Sequence, residues 1–174
     1  KTMSQQKQAI TGINSSAEVE IRNRYPSLAA TGVGRIIGRI CNSIPTKVWG
    51  IKISHLLFAL PFAPMAAGLY VLQKLTGEKY ILTNHSIQRC SAIGAKQLQS
   101  CDLKEISDIE ITQQDGQEFY RASDLSVLDA TGNVVMKIAG VPNADIFRES
   151  ILKARDARTE TAEALATINA RQTA

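Results

Sequence analysis

At 174 residues the chain can hold one ordinary domain and an extension. Its net charge of +4 is an N-terminal property: residues 1–50 carry Lys1, Lys7, Arg22, Arg24, Arg35, Arg39 and Lys47 against only Glu18 and Glu20, whereas acids outnumber bases from residue 78 onward. That balance suits an anionic membrane surface or an acidic partner, and its sparse positives with few aromatics near them do not suit a nucleic-acid-binding face.

Residues 1–20 are rich in Gln, Ser, Thr and Asn and have no apolar period, so a flexible tail is expected, reaching to about residue 24. The residues before 24 are too polar for a signal peptide. Over residues 27–44 the spacing changes. Leu28, Val33, Ile36, Ile37, Ile40 and Ile44 recur three and four apart, which predicts a helix with an apolar face. Arg35 and Arg39 share its opposite side, Ser27 is placed to cap its start and Pro45 ends it. Gly32, Gly34 and Gly38 do not have the spacing of a dinucleotide-binding loop, and no strand precedes them. Gly34 and Gly38 do make one small-x-x-x-small pair, a pattern that permits close helix packing.

Residues 53–72 carry no formal charge and are bounded by Lys52 and Lys74. As a straight helix at about 1.5 Å per residue, that run would just cross a hydrocarbon core of about 30 Å. Trp49 and Tyr70 stand near its ends, where amphipathic rings favour the lipid–water interface. Pro61 and Pro64 at its centre each remove a backbone donor. Three arrangements stay open: a kinked single span, a re-entrant or interfacial hairpin turning at residues 61–64, and a buried core segment. The first two place residues 25–76 at a membrane, with Arg35, Arg39, Lys47, Trp49, Lys52, Tyr70 and Lys74 as interface residues. Basic residues on both sides give no crossing direction.

After Thr76 and Gly77 short strands begin. They are predicted at residues 80–82, 87–93, 96–100, 108–112, 119–122, 124–128 and 134–138, with turns at Asp115-Gly116 and Thr131-Gly132-Asn133. The period then lengthens. Pro142 and Asn143 mark a helix start, and Phe147, Ile151 and Ala154 form its apolar stripe. The fold class expected is mainly β with α: an antiparallel barrel or sandwich over residues 77–174, closed by an extended C-terminal helix and preceded by a helical membrane-associated segment.

Chemistry-bearing residues are few. His55 lies in the apolar run and His85 in a turn, neither with metal-ligand spacing to other ligands. Asp108 and Glu110 share a strand face as a paired-acid site would need, but strand alternation already accounts for them. The three cysteines, Cys41, Cys90 and Cys101, are odd in number and lack metal-ligand spacing, which fits small apolar side chains in a reducing compartment. A Cys90–Cys101 bridge between adjacent strands stays open, since sequence alone does not place the sulfurs. No catalytic residue and no cofactor is expected.

Residues 78–158, roughly half the chain, resemble the bacterial pleckstrin-homology (PH) domains. The likeness rests on Tyr80-Ile81-Leu82-Thr83-Asn84 with Ile87 following, then Gly94, the Leu103, Ile106, Ile109 pattern, Asp124-Leu125-Ser126-Val127, and Gly140-Val141-Pro142-Asn143 leading to Phe147 and Ile151. The resemblance implies a binding or scaffolding fold, held at the cytoplasmic face of a bacterial membrane by the apolar segment before it. A protein partner or self-association follows from it as well as contact with membrane lipids. A peripheral anionic-lipid-binding protein is the alternative. Ser86 stands where that family often has arginine, and the turn at residues 83–86 has no Lys or Arg, so selectivity for a phosphorylated head group is not expected.

Overall fold

A computed structural model describes residues 18–48 and 50–172. Its order of elements is β1 (Glu20–Arg24), α1 (Gly32–Asn42), β2 (Lys47–Val48), β3 (Ile51–Lys52), α2 (Leu60–Thr76), β4 (Glu78–Thr83), β5 (Ser86–Ser91), β6 (Gln97–Asp102), β7 (Asp108–Thr112), β8 (Ala122–Leu128), β9 (Val134–Pro142) and α3 (Ala144–Gln172). The molecule is mixed α and β, with antiparallel sheets and a C-terminal helix. One sheet has the order β1-β4-β5-β6 and another the order β7-β8-β9, with β2 and β3 forming a small separate ribbon.

The two larger sheets are not joined into a closed barrel. They share one core, because alternate residues of both point inward. Tyr80, Leu82, Ile87 and Cys101 come from the first sheet, and Ile109, Leu125, Val127, Met136, Ile138 and Val141 from the second. Phe147 and Ile151 of α3, one turn apart and fully buried, fill the opening that remains. The Tyr80 hydroxyl accepts from the Ala139 amide at 3.2 Å and so ties the sheets together across the core.

Most of the expected strands are present, with adjusted ends. Residues 119–122 depart from expectation: Glu118–Tyr120 is a 3₁₀ turn, and Arg121 takes a left-handed backbone (φ 49°) before β8 begins. The β8–β9 turn forms as expected, since the Asp129 carboxylate accepts from the amides of Thr131 and Asn133. At the start of α3, Asn143 also has a positive φ, of 50°, and its carbonyl accepts from the amide of Ile146 at 3.1 Å. Cys41, Cys90 and Cys101 are all free thiols and buried, and desolvation pushes the Cys101 thiol up to about 11.

Residues 1–17 of the expected flexible tail lie outside the described residues, and the end of that tail, up to residue 24, is not irregular. Glu20–Arg24 is a strand on the edge of the first sheet, paired antiparallel with β4 through Arg22↔Leu82, Asn23↔Ile81 and Arg24↔Tyr80. Its alternation of charged and uncharged side chains hid it, as an edge strand facing solvent needs little apolar content. The unit at residues 77–174 therefore recruits a strand from before the apolar run.

Candidate membrane-facing surface

The segment between β1 and β4 is built on glycine contacts. Ser27 opens a 3₁₀ turn at Leu28–Ala30, its hydroxyl accepting from the Ala29 amide. Thr31 then caps α1 by accepting from the Gly34 amide at 3.1 Å. The buried face of α1 is Gly34, Ile37, Gly38 and Cys41. A Cβ on Gly38 would overlap the carbonyl of Gly116 in the β7–β8 loop, and one on Gly116 would overlap the carbonyl of Arg35. The small-x-x-x-small pair thus seats a loop and the preceding 3₁₀ turn, rather than a second helix. Val33 and Ile36, expected on the packed face, are exposed.

Polar groups complete the clasp. Arg35 donates to the Gln114 side chain. Gln114 in turn donates to Asp124 at 2.6 Å, and the buried Gln117 donates to the other Asp124 oxygen at 2.5 Å. That same oxygen accepts from the Gly140 amide, and the Gly140 carbonyl accepts from the Ser27 amide, both at 2.8 Å. Residues on both sides of the apolar run are joined in one network. Arg39 and Asp115 add an ion pair at 3.6 Å, with both side chains largely exposed.

After the β2–β3 ribbon, Ser54 is fully buried and donates to the Cys41 carbonyl at 2.5 Å. A π turn at His55–Ala59 leads directly into α2. Pro61 stands in the first turn of α2, where a missing N–H is tolerated, and Pro64 lies inside the helix. The helix continues through residues 61–64, so of the three arrangements left open the hairpin turning at the prolines is not formed. At the far end Gln73 donates to the Ser27 carbonyl at 3.1 Å. Along this length His55, Phe58, Ala59, Phe62, Ala66, Leu69 and Gln73 are partly covered. Those positions recur three and four apart and define one face. The opposite face is Leu57, Leu60, Pro64, Gly68, Val71 and Leu75, all exposed, with Leu60 at 80%. No residue of α2 is buried and none belongs to the core cluster, so the core-segment arrangement is set aside. Leu57–Thr76 is long and apolar enough to cross a membrane by length and composition.

The expected interface residues divide into two groups. Arg35 and Arg39 turn toward the β7–β8 loop and hold the body together. Lys52 donates to Asn42 at 2.6 Å beside the start of the apolar helix. Lys74 stands 5.5 Å from the ring centroids of both Tyr25 and Tyr70, and the exposed Tyr70 lies one turn before it. Lys47 is in β2; its side chain and Trp49 lie outside the described residues. Ser54 and Gln73, the two side chains that fasten the helix, were missed in the sequence, although Ser54 is a polar interruption at the start of an apolar run.

His55 packs edge-on against Phe119, with ring centroids 5.0 Å apart. Asp108 accepts from the Ile109 amide and from Arg148 at 3.0 Å; these bonds hold its carboxyl below the usual carboxylate range. Among the described residues no three His, Cys, Asp or Glu side chains gather as a metal site requires. No family model, curated protein or solved structure matches the chain.

The turn at residues 83–86 already holds an anion. One oxygen of Glu18 accepts from Thr83, Ser86 and Gln88, each at 2.8 Å. Bonds from Ser86 and Thr83 first, then from Gln88 and the charge of His85, lower the Glu18 pKa. Its stabilising effect is present when the carboxylate is ionised above its unfolded value of about 4.3, and is lost as pH falls through the lower folded value. Glu18→Gln should therefore unfold at lower urea than the parent near pH 7, with the gap closing as pH falls through the lowered folded value. A gap independent of pH would show that the charge contributes nothing.

Proposed function

We propose that the chain is a membrane-held, non-catalytic interaction module of PH-like type, attached through α2 and presenting its two-sheet body to a protein partner or to its own copies. The observation that carries this reading is the uncharged, exposed outer face of α2 on a body whose core is complete without it. Burying a single large aliphatic side chain in an apolar phase is worth about 1.5–3 kcal/mol, so a row of them exposed to water has a strong preference for lipid. Lys52 and Lys74 at its ends favour an anionic leaflet, which in a bacterium is consistent with the cytoplasmic face. The PH-like part of the reading is supported by the antiparallel sheets closed by Phe147 and Ile151, together with the sequence motifs. A binding role without catalysis is supported by the tying of Asp108 into an ion pair and the packing of His55 against a ring.

For the interaction surface, α3 is the feature to consider. From Thr159 to Arg171 every residue is exposed, although the helix continues. The alternative, a peripheral anionic-lipid sensor, is disfavoured by Glu18, whose carboxylate already takes the hydroxyl donors of the first turn.

Flotation of the full chain with vesicles of phosphatidylcholine and phosphatidylglycerol tests the attachment. The parent should float, and Leu60→Glu should lower its partitioning roughly tenfold or more. Binding abolished by salt alone would favour the lipid-sensor alternative. A chain that stays in the aqueous fraction would refute membrane attachment.

A further inference from the structure

We propose that α2 attaches from one side, lying in the plane of the lipid–water interface with its Leu57, Leu60, Val71 and Leu75 face in the acyl region and no crossing of the bilayer; the inference rests on the membrane reading above.

Topology carries it. A single crossing by Leu57–Thr76 would leave the residues before and after it on opposite sides of a hydrocarbon core about 30 Å thick. The fold joins those residues directly. β1 lies before the helix and pairs with β4 after it. The Ser27 amide meets the Gly140 carbonyl at 2.8 Å, and Gly38 sits against Gly116 at contact distance. Glu18 is bonded to Ser86 and Gln88. Bonds of this length cannot bridge a bilayer, so the number of crossings between Ser27 and Gly140 is even, and the one candidate helix among the described residues supplies none.

The fastening of α2 agrees. Its start is held by Ser54 to Cys41, near the end of α1, and its last turns are held by Gln73 to Ser27, just before α1 begins. Both ends are therefore tied to one body. A helix standing upright in lipid would have one end attached and the rest uncovered on all sides. Here a single face, including Phe58, Phe62 and Leu69, is partly covered along the whole length. The face turned away has no charged side chain over some five turns. Lys52 and Lys74 bring positive charge to both ends, the distribution an in-plane helix uses on an anionic leaflet. The exposed Val33 and Ile36 of α1 add apolar surface to the same N-terminal segment. Lipid is the occupant that suits an uncharged helical face between two lysines; a protein covering it is an outcome of the test.

The test uses the full chain synthesised with sealed vesicles of phosphatidylcholine and phosphatidylglycerol. Ser43→Cys and Glu160→Cys place exposed thiols before and after α2, in a background whose own cysteines are buried. A membrane-impermeant maleimide should label both to the same extent without permeabilisation. A polarity-sensitive thiol probe at Leu60→Cys should shift to the blue on vesicle addition, and one at Ala66→Cys should shift much less. If one of the first two thiols reacts only after permeabilisation, the helix crosses, and the one-sided arrangement is overturned while membrane attachment stands. Equal labelling with no shift at Leu60→Cys would mean that something other than lipid covers the helix. Failure to float would remove the membrane reading itself.

Discussion

Phe147→Ala should lower the unfolding stability of the body by about 3–5 kcal/mol, and Glu149→Ala should leave the urea midpoint nearly unchanged. Phe147 is fully buried between the two sheets and one turn from the equally buried Ile151. Truncation removes most of an aromatic side chain from a site that cannot collapse around the gap, because strands of both sheets already fix its walls. Against the roughly 5–15 kcal/mol typical of a whole domain, that loss is large. Glu149 is two residues away on the same helix, yet its partner is the exposed Lys153, at 2.7 Å, and exposed pairs of this kind contribute little. Urea unfolding of the full chain in mild detergent measures both variants. Equal midpoints would mean that α3 merely lies on the surface.

Gly38→Ala should loosen α1 even though alanine is the better helix former. Alanine gains about 1 kcal/mol over glycine inside a helix. At Gly38, however, the added methyl would overlap the carbonyl and Cα of Gly116, and backbone cannot give way as a side-chain tip can. Overpacking of this sort costs about 1–3 kcal/mol, so the steric term should win. Cys41 reports it, being fully buried under the same helix face. Its labelling by a thiol reagent should rise roughly tenfold for each 1.4 kcal/mol by which local opening becomes easier. Gly32→Ala is the control, as a Cβ there meets nothing within 4 Å. If Gly38→Ala protects Cys41 as well as Gly32→Ala does, the glycine contact is not what holds α1.

The body was legible in the sequence where periodicity and turn chemistry agreed. Ile109, Leu125, Val127 and Ile138 alternate with polar neighbours, and Thr131-Gly132-Asn133 separates two such runs, so the strands and the turn between them followed. Phe147 and Ile151 declared themselves by helical spacing. The clasp was less visible for a physical reason. Of its packed face Ile37 was expected, but Gly34 and Gly38 have no hydrophobic signal, while Val33 and Ile36 give a strong apolar signal and remain outside. β1 was hidden for the converse reason: an edge strand needs backbone partners more than apolar side chains, and its partner lies beyond the apolar run. The basic residues expected at an interface were read from charge alone, and Trp49 and Tyr70 from their amphipathic rings. Charge located Lys52 and Lys74 beside the apolar helix, but it could not distinguish them from Arg35 and Arg39, which a loop about 80 residues away engages.

The pairing of β1 with β4 also sets an order of assembly. β4, β5 and β6 are joined by short turns and can form as soon as they leave the ribosome. β1 is made before them, yet its partner β4 appears only after α1, the ribbon and the whole apolar helix have followed it. Closing that loop costs entropy that grows as (3/2)RT ln n, on the order of 3–4 kcal/mol for some 50 residues before any constant is added. A strand synthesised before its partners should then join the sheet late, and during that wait the apolar helix emerges without its underlying body. A nascent chain of this design exposes its apolar helix before it has finished folding.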